Sequence, residues 1–132
     1  MDTFSSEVEL GYPQGTGRRV LIVDNDVDSC ETMAVLLTHF GFEAGIAFSG
    51  KEALEVAESF RPDMILLDID LPDVRGLEVA KTLLNHPTLI AKIVAVSDDL
   101  KFGQDAGFDA HLIKPANPEA IKELLTTLIP ST

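Results

Sequence analysis

Short apolar runs alternate along this chain with stretches in which hydrophobic positions return every three to four residues, the signature of strands and amphipathic helices in turn. Val20-Leu21-Ile22-Val23, Met64-Ile65-Leu66-Leu67 and Ile93-Val94-Ala95-Val96 are uniformly apolar and break into polar or turn-forming residues, which predicts strands buried on both faces. Glu43–Ala47 and Ala110–Ile113 are expected to be two further strands. Between them the helical period is legible. Asp28 with Glu31 predicts a capping box for a helix over about residues 29–40, with Met33, Leu36, Leu37 and Phe40 in one stripe and Gly41 as its end. Ser49 with Glu52 opens a helix that buries Ala53, Leu54, Ala57 and Phe60 and closes at Pro62. Gly76 precedes a helix with Leu77, Ala80, Leu83 and Leu84 inward, which ends before Pro87. Asn117 caps a final helix with Pro118 at its first position, Ile121, Leu124, Leu125 and Leu128 inward, and Pro130 as its stop.

Five strands alternating with helices predict an α/β fold in which a parallel sheet is covered on both faces through right-handed crossovers. A flavodoxin-like strand order, 2-1-3-4-5, is expected, and it sets the first and third strands side by side at the topological switch point.

A length of 132 residues allows one domain, and 45% hydrophobic with 24% charged residues marks it as globular. Ten basic against 22 acidic residues leave a net charge of -12, which repels phosphate backbones and argues against direct nucleic-acid binding. The apolar runs are strand-length and Met1-Asp2-Thr3 lacks the basic start of a secretory signal, so the expectation is a cytoplasmic chain with no membrane contact. The single cysteine, Cys30, excludes an internal disulfide and reads as a small core residue. Residues 1–17 show no apolar period and are expected to be a flexible tail. Gly15-Thr16-Gly17 imitates a dinucleotide fingerprint there but precedes the first strand, whereas phosphate cradling needs it after one.

The chemistry gathers at strand ends. The first strand stops at Asp24-Asn25-Asp26, the third at Asp68-Ile69-Asp70-Leu71-Pro72, the fourth at Ser97 and the fifth at Lys114-Pro115. Open α/β sheets place ligands outside these carboxyl ends. Carboxylates converging in one crevice repel each other unless a cation sits among them, and a divalent ion with oxygen ligands, Mg²⁺ above all, meets that need.

Two aspartates, a hydroxyl and a lysine, in that order and each closing its own strand, resemble the receiver domain of two-component response regulators. The Leu71-Pro72 and Lys114-Pro115 pairs agree with it, and the receiver is expected over residues 18–130. The resemblance implies that Asp68 is the phosphoacceptor and that Asp24, Asn25, Asp68 and the Asp70 backbone carbonyl ligate Mg²⁺. It makes Lys114 the phosphate-binding cation and Ser97 the switch hydroxyl. It implies a histidine kinase or phosphotransfer protein as donor, a downstream protein partner as receiver of the signal, and admits a homodimer. It implies self-promoted phosphorylation and dephosphorylation, not turnover of a separate substrate. A stand-alone regulator and a receiver cut from a larger hybrid protein both fit.

Departures from the family pattern are specific. Asn25 stands where a second carboxylate is usual, which weakens the Coulomb attraction for Mg²⁺ unless the neighbouring Asp26 compensates. Asp98 and Asp99 follow Ser97, where a small neutral residue is common, and with Asp70 they predict slower phosphorylation. His111 holds a position, three before the lysine, that usually carries a switching aromatic; an imidazole there adds pH sensitivity if it acts as the switch. His39 and His86 lack ligand spacing and read as surface residues. Only 17 positions separate Ser97 from Lys114, roughly a turn and a half of helix fewer than usual, so the fourth helix, over 100–107, is expected to be shortened or irregular.

Two other functions compete. Asp68-Ile69-Asp70 also resembles the nucleophile motif of haloacid dehalogenase-type phosphatases, although it lies on the third strand and is followed by Leu71-Pro72. A phosphorylation-independent pseudo-receiver adaptor would keep the fold and lose the pocket's activity.

Overall fold

Alternation within the strands sets the architecture. In the computed structural model, which describes residues 18–71, 76–98 and 107–128, the strands are β1 (Arg19–Val23), β2 (Glu43–Ala47), β3 (Met64–Asp68), β4 (Lys92–Ser97) and β5 (Ala110–Ile113). All pair in parallel in the order β2-β1-β3-β4-β5, as expected. The helices among the described residues are α1 (Val27–His39), α2 (Gly50–Phe60), α3 (Gly76–Leu84) and α4 (Pro118–Leu128). β3 lies at the centre and every one of its residues is buried.

Successive strand residues point to opposite faces, so each apolar run feeds two cores. Val20, Ile22, Met64, Leu66, Val94 and Val96 pack with Cys30 and Leu37 of α1 and Ile121 and Leu125 of α4. Leu21, Val23, Ile65, Leu67 and Ile93 pack with Ala53 and Ala57 of α2 and Val79, Ala80 and Leu83 of α3. A continuously hydrophobic strand is what this two-sided burial requires.

The helix caps follow the sequence in two places and correct it in a third. Ser49 Oγ accepts the Glu52 N–H at 3.1 Å while the Glu52 carboxylate accepts the Phe48 N–H, and Asn117 Oδ1 accepts the Glu119 N–H at 2.8 Å. The expected Asp28/Glu31 box does not open α1. Asp26 is the N-cap, extended at φ -89° and ψ 108°, and its carboxylate accepts the Asp28 N–H at 3.2 Å, so the helix starts at Val27 and Asp28 sits inside its first turn. Both aspartates have the chemistry of a cap; the short connection from β1 selects the earlier one. A second correction concerns Leu84, which is 45% exposed. The inward face of α3 is Val79, Ala80 and Leu83, and one further residue turns the side chain about 100° away from that face.

Among the described residues no helix is long and apolar enough to cross a membrane. The expected tail over residues 1–17 and residues 100–106 of the expected shortened helix over 100–107 lie outside the described residues, as do Pro72 and Asp99.

Ile65 on the central strand is fully buried, so Ile65→Ala should lower unfolding free energy by about 3–4 kcal/mol. Val35→Ala, at a position 69% exposed, should change it by less than about 0.5 kcal/mol. Urea unfolding followed by circular dichroism checks both, and equal effects at the two sites would refute the assignment of the core.

Candidate functional site

Register brings the site residues together. Val23 of β1 pairs with Leu67 of β3, so the residues that follow, Asp24 and Asp68, stand side by side at the carboxyl edge of the sheet. The Asp24 N–H donates to Ala47 O at 3.1 Å, which holds its backbone to the end of β2. On the other side the Lys114 N–H donates to Ser97 O at 2.9 Å, fixing the end of β5 against β4. The Lys114–Pro115 peptide bond that follows is cis.

Asp68 is only 2% exposed, and both its oxygens are engaged. Oδ2 accepts from Lys114 Nζ at 2.9 Å and Oδ1 accepts from the Asp70 N–H at 2.9 Å. A carboxylate so deeply placed requires such partners, because an unpaired buried charge is costly. Burial opposes the charge on Lys114, but its hydrogen bond and Coulomb attraction to Asp68 outweigh that cost and raise its pKa.

Asp24 shows the opposite balance. Burial, reinforced by the neighbouring Asp68 carboxylate, raises its pKa, although the Asp26 N–H bonded to its Oδ1 at 3.0 Å and the charge of Lys114 pull the other way. The charge of Asp24 is therefore held under electrostatic strain at the carboxyl edge of the sheet. Asp26, next in line, is used elsewhere: its oxygens hold the first turn of α1 through the Asp28 N–H and the Ser29 hydroxyl at 2.8 Å, and the Ser29 bond leads the effects that lower its pKa.

A cavity of about 730 Å³ opens at this edge, with Asp24, Asn25, Asp26, Asp68, Asp98 and Lys114 among its polar lining and Asp28, Ser29 and Thr32 of α1 beside them. Its floor is apolar, made by Ile22, Leu66 and Val96 from the sheet, Met33 and Leu36 from α1 and Ile121 from α4. Oxygen donors dominate the polar lining, which suits a hard divalent cation such as Mg²⁺ more than a softer metal. Among the described residues no three His, Cys, Asp or Glu side chains converge on one point; the close approach is of two carboxylates, Asp24 and Asp68, with Asn25 also in the cavity lining. Cys30 lies beneath, its Sγ donating to Asp24 O at 3.2 Å, and burial together with the charge of Asp24 pushes its thiol up to about 12, so it carries no thiolate chemistry.

Asp24, Asn25, Asp68 and Lys114 thus share one cavity. Asp70 is exposed, and it touches Asp68 through its N–H. Ser97 and His111 are outside the cavity lining and pair with each other, Oγ to Nε2, at 2.9 Å. That bond was not legible in the sequence: its partners are 14 positions apart, and only the strand register joins them. The presence of Asp98 on the cavity wall had a signal, its place directly after Ser97.

Comparison with known proteins identifies the family and agrees with the fold. A family model described as the response regulator receiver domain matches residues 20–126. The DNA-binding response regulator MtrA of Mycolicibacterium paratuberculosis is 31% identical over 107 residues, covering 79% of this chain and 48% of MtrA. The transcriptional regulatory protein PrrA of Mycobacterium tuberculosis is 38% identical over 104 residues, covering 76% of this chain and 45% of PrrA. The chain therefore spans about half the length of the curated relatives it matches. Among solved structures, a CheY-like receiver domain from Methylobacillus flagellatus superposes with a TM-score of 0.78 at 32% identity, covering 84% of this chain and 98% of that one. The response regulator TrrA of Thermotoga maritima, solved in complex with Mg(2+)-BeF, superposes with a TM-score of 0.76 at 30% identity, covering 85% of this chain and 99% of that one.

The raised pKa of Asp24 has a sign that can be measured. The folded state holds a proton there more tightly than the unfolded chain, so ionised Asp24 costs stability at neutral pH, and the cost disappears as pH falls through its raised value. In metal-free buffer at pH 7, Asp24→Asn should raise the melting temperature by about 2 °C, a small effect because the group is largely solvent-screened. The gain should vanish below about pH 4, and a lower melting temperature for the variant at pH 7 would contradict the assignment of electrostatic strain.

Proposed function

The chain belongs to the response regulator receiver domain family, and on that premise we propose that Asp68 accepts a phosphoryl group from a phosphohistidine on a histidine kinase or phosphotransfer protein. The observation that carries the reading is the pairing of buried Asp68 with half-buried Lys114 beside Asp24 at the end of the central strand.

Asp68 Oδ attacks phosphorus and the imidazole of the donor leaves, which forms an acyl phosphate; water later hydrolyses it and restores the carboxylate. A carboxylate approaching an anionic phosphoryl group meets Coulomb repulsion first, and the residues around Asp68 reduce it. Lys114, already within hydrogen-bonding distance of the nucleophile, turns its ammonium to a phosphoryl oxygen as the charge arrives. The Ser97 hydroxyl reaches another oxygen and draws its loop inward, which couples a local charge to surface shape. Asp24, Asn25, Asp68 and the Asp70 carbonyl would hold Mg²⁺, which when bound neutralises developing negative charge and aligns the transfer. The rearranged surface acts on a downstream protein partner, in keeping with the net charge of -12, which opposes contact with nucleic acid. Asp98 on the cavity wall adds negative charge where an anionic donor enters, and slows the reaction.

Incubation with acetyl phosphate and Mg²⁺ followed by intact mass measurement tests the core of this proposal. A single phosphoryl adduct should form on the wild type and be absent from Asp68→Asn. An unchanged adduct in that variant, or steady release of phosphate from a phosphate monoester through Asp68 and Asp70, would overturn it.

Asn25→Asp should tighten Mg²⁺ binding about fivefold, the equivalent of ~1 kcal/mol for a partly solvated charge. Asp26→Ala, which removes the α1 cap, should cost about 1 kcal/mol of stability and leave Mg²⁺ affinity near that of the wild type. No gain in the first variant with a large loss in the second would move the ligand role to Asp26.

A further inference from the structure

The bond between Ser97 Oγ and His111 Nε2, 2.9 Å long, is unused by the transfer chemistry above, yet it governs what the hydroxyl can do. A serine hydroxyl has one proton to donate, whereas a neutral imidazole nitrogen either donates or accepts according to where its own proton sits. When Nε2 is bare it accepts the Ser97 proton, and the hydroxyl faces an incoming phosphoryl oxygen with lone pairs. When Nε2 carries a proton, as it does in one neutral tautomer and always in the imidazolium, it donates to Ser97 Oγ, and the hydroxyl proton can turn to the phosphoryl group, which can only accept.

We propose that His111 is the positioning residue that sets the polarity of the Ser97 hydroxyl, and that phosphorylation of Asp68 is accompanied by proton uptake from solvent at His111 Nε2. This rests on the reading of Asp68 as phosphoacceptor. Imidazole is the side chain whose ordinary titration lies in the physiological range, so the coupling acts where pH varies in cells.

Among the described residues the charged groups around His111 are few, and Asp99, next to Asp98, falls outside those residues. His111 alternates with Ala110 and Leu112, which pack toward α1 and α4, so it takes the α3 side of β5. Of the charged groups on the adjoining elements, Asp98 follows Ser97, and Lys114 at the end of β5 is tied to Asp68 at 2.9 Å. Asp109, before β5, is bound to the Ile93 N–H, and Lys92, at the start of β4, is exposed. Glu78 and Lys81 of α3 are exposed, as are Glu119, Lys122 and Glu123 of α4 on the opposite face. Lys101 and Asp105 fall outside the described residues.

The test is an NMR titration of the histidine ring signals of the full chain across about pH 5.5–8.5, with and without Mg²⁺ and beryllofluoride as the phosphoryl mimic. The His111 midpoint should rise by about one pH unit, a tenfold gain in proton affinity, while those of His39 and His86 stay in place. In Ser97→Ala the rise should fall to less than half, because the hydroxyl that relays the demand is gone. An unchanged or lowered His111 midpoint at full fluoride occupancy would overturn the proposal, as would an undiminished rise in Ser97→Ala, which would mean that charge acts through space alone. Absence of any beryllofluoride signal on the wild type would instead remove the Asp68 reading itself, and this inference with it.

Discussion

Everything at the carboxyl edge of the sheet depends on a carboxylate that water hardly reaches. Asp68 ends a strand buried along its whole length and is itself 2% exposed, so its charge must be matched by the protein. Lys114 supplies the match from β5, two strands away in the sheet and 46 positions away in the chain. A buried pair of this kind is weak evidence for stability, since desolvation offsets much of the attraction. On the proposed reading it is a charge held ready for use, with an ammonium that would pass from carboxylate to phosphoryl oxygen without leaving the pocket.

Asp24 gives the same edge its tension. Its raised pKa and the lowered pKa of Asp26 arise within three residues of each other, and they separate two roles that composition alone could not divide. Asp26 spends its oxygens on a helix terminus, where backbone N–H groups need an acceptor. Asp24 makes no such cap, and burial, with repulsion from Asp68 added, works against its charge. Asn25, between Asp24 and Asp26, is neutral, so on the proposed reading Mg²⁺ would be held with one negative charge fewer than a carboxylate there would supply.

The pairing of Ser97 with His111 adds a second layer. The two residues sit on neighbouring strands, β4 and β5, whose ends are clamped by the Lys114 N–H to Ser97 O bond. The same β4–β5 edge therefore places Lys114 and the imidazole of His111 close to one hydroxyl. On the reading proposed above, phosphoryl charge and proton concentration would meet there.

Much of this was legible in the chain because the relevant physics is local. Two-sided burial demands continuous apolar runs, and those runs marked β1, β3 and β4; capping demands an oxygen within three residues of the N–H it accepts, and that marked Ser49 and Asn117. The chemistry-bearing residues were visible because each closes such a run. The cap of α1, the outward turn of Leu84 and the Ser97–His111 bond were decided by the tertiary structure. Asp26 and Asp28 are equivalent as caps until the path out of β1 is known, and Leu84 is as apolar as Leu83 until the helix is docked. Ser97 and His111 are strangers in sequence until strand register makes them neighbours. Local signals extend over a turn of helix or a pleat of strand, whereas partners separated by tens of residues are chosen only when the sheet closes around its core.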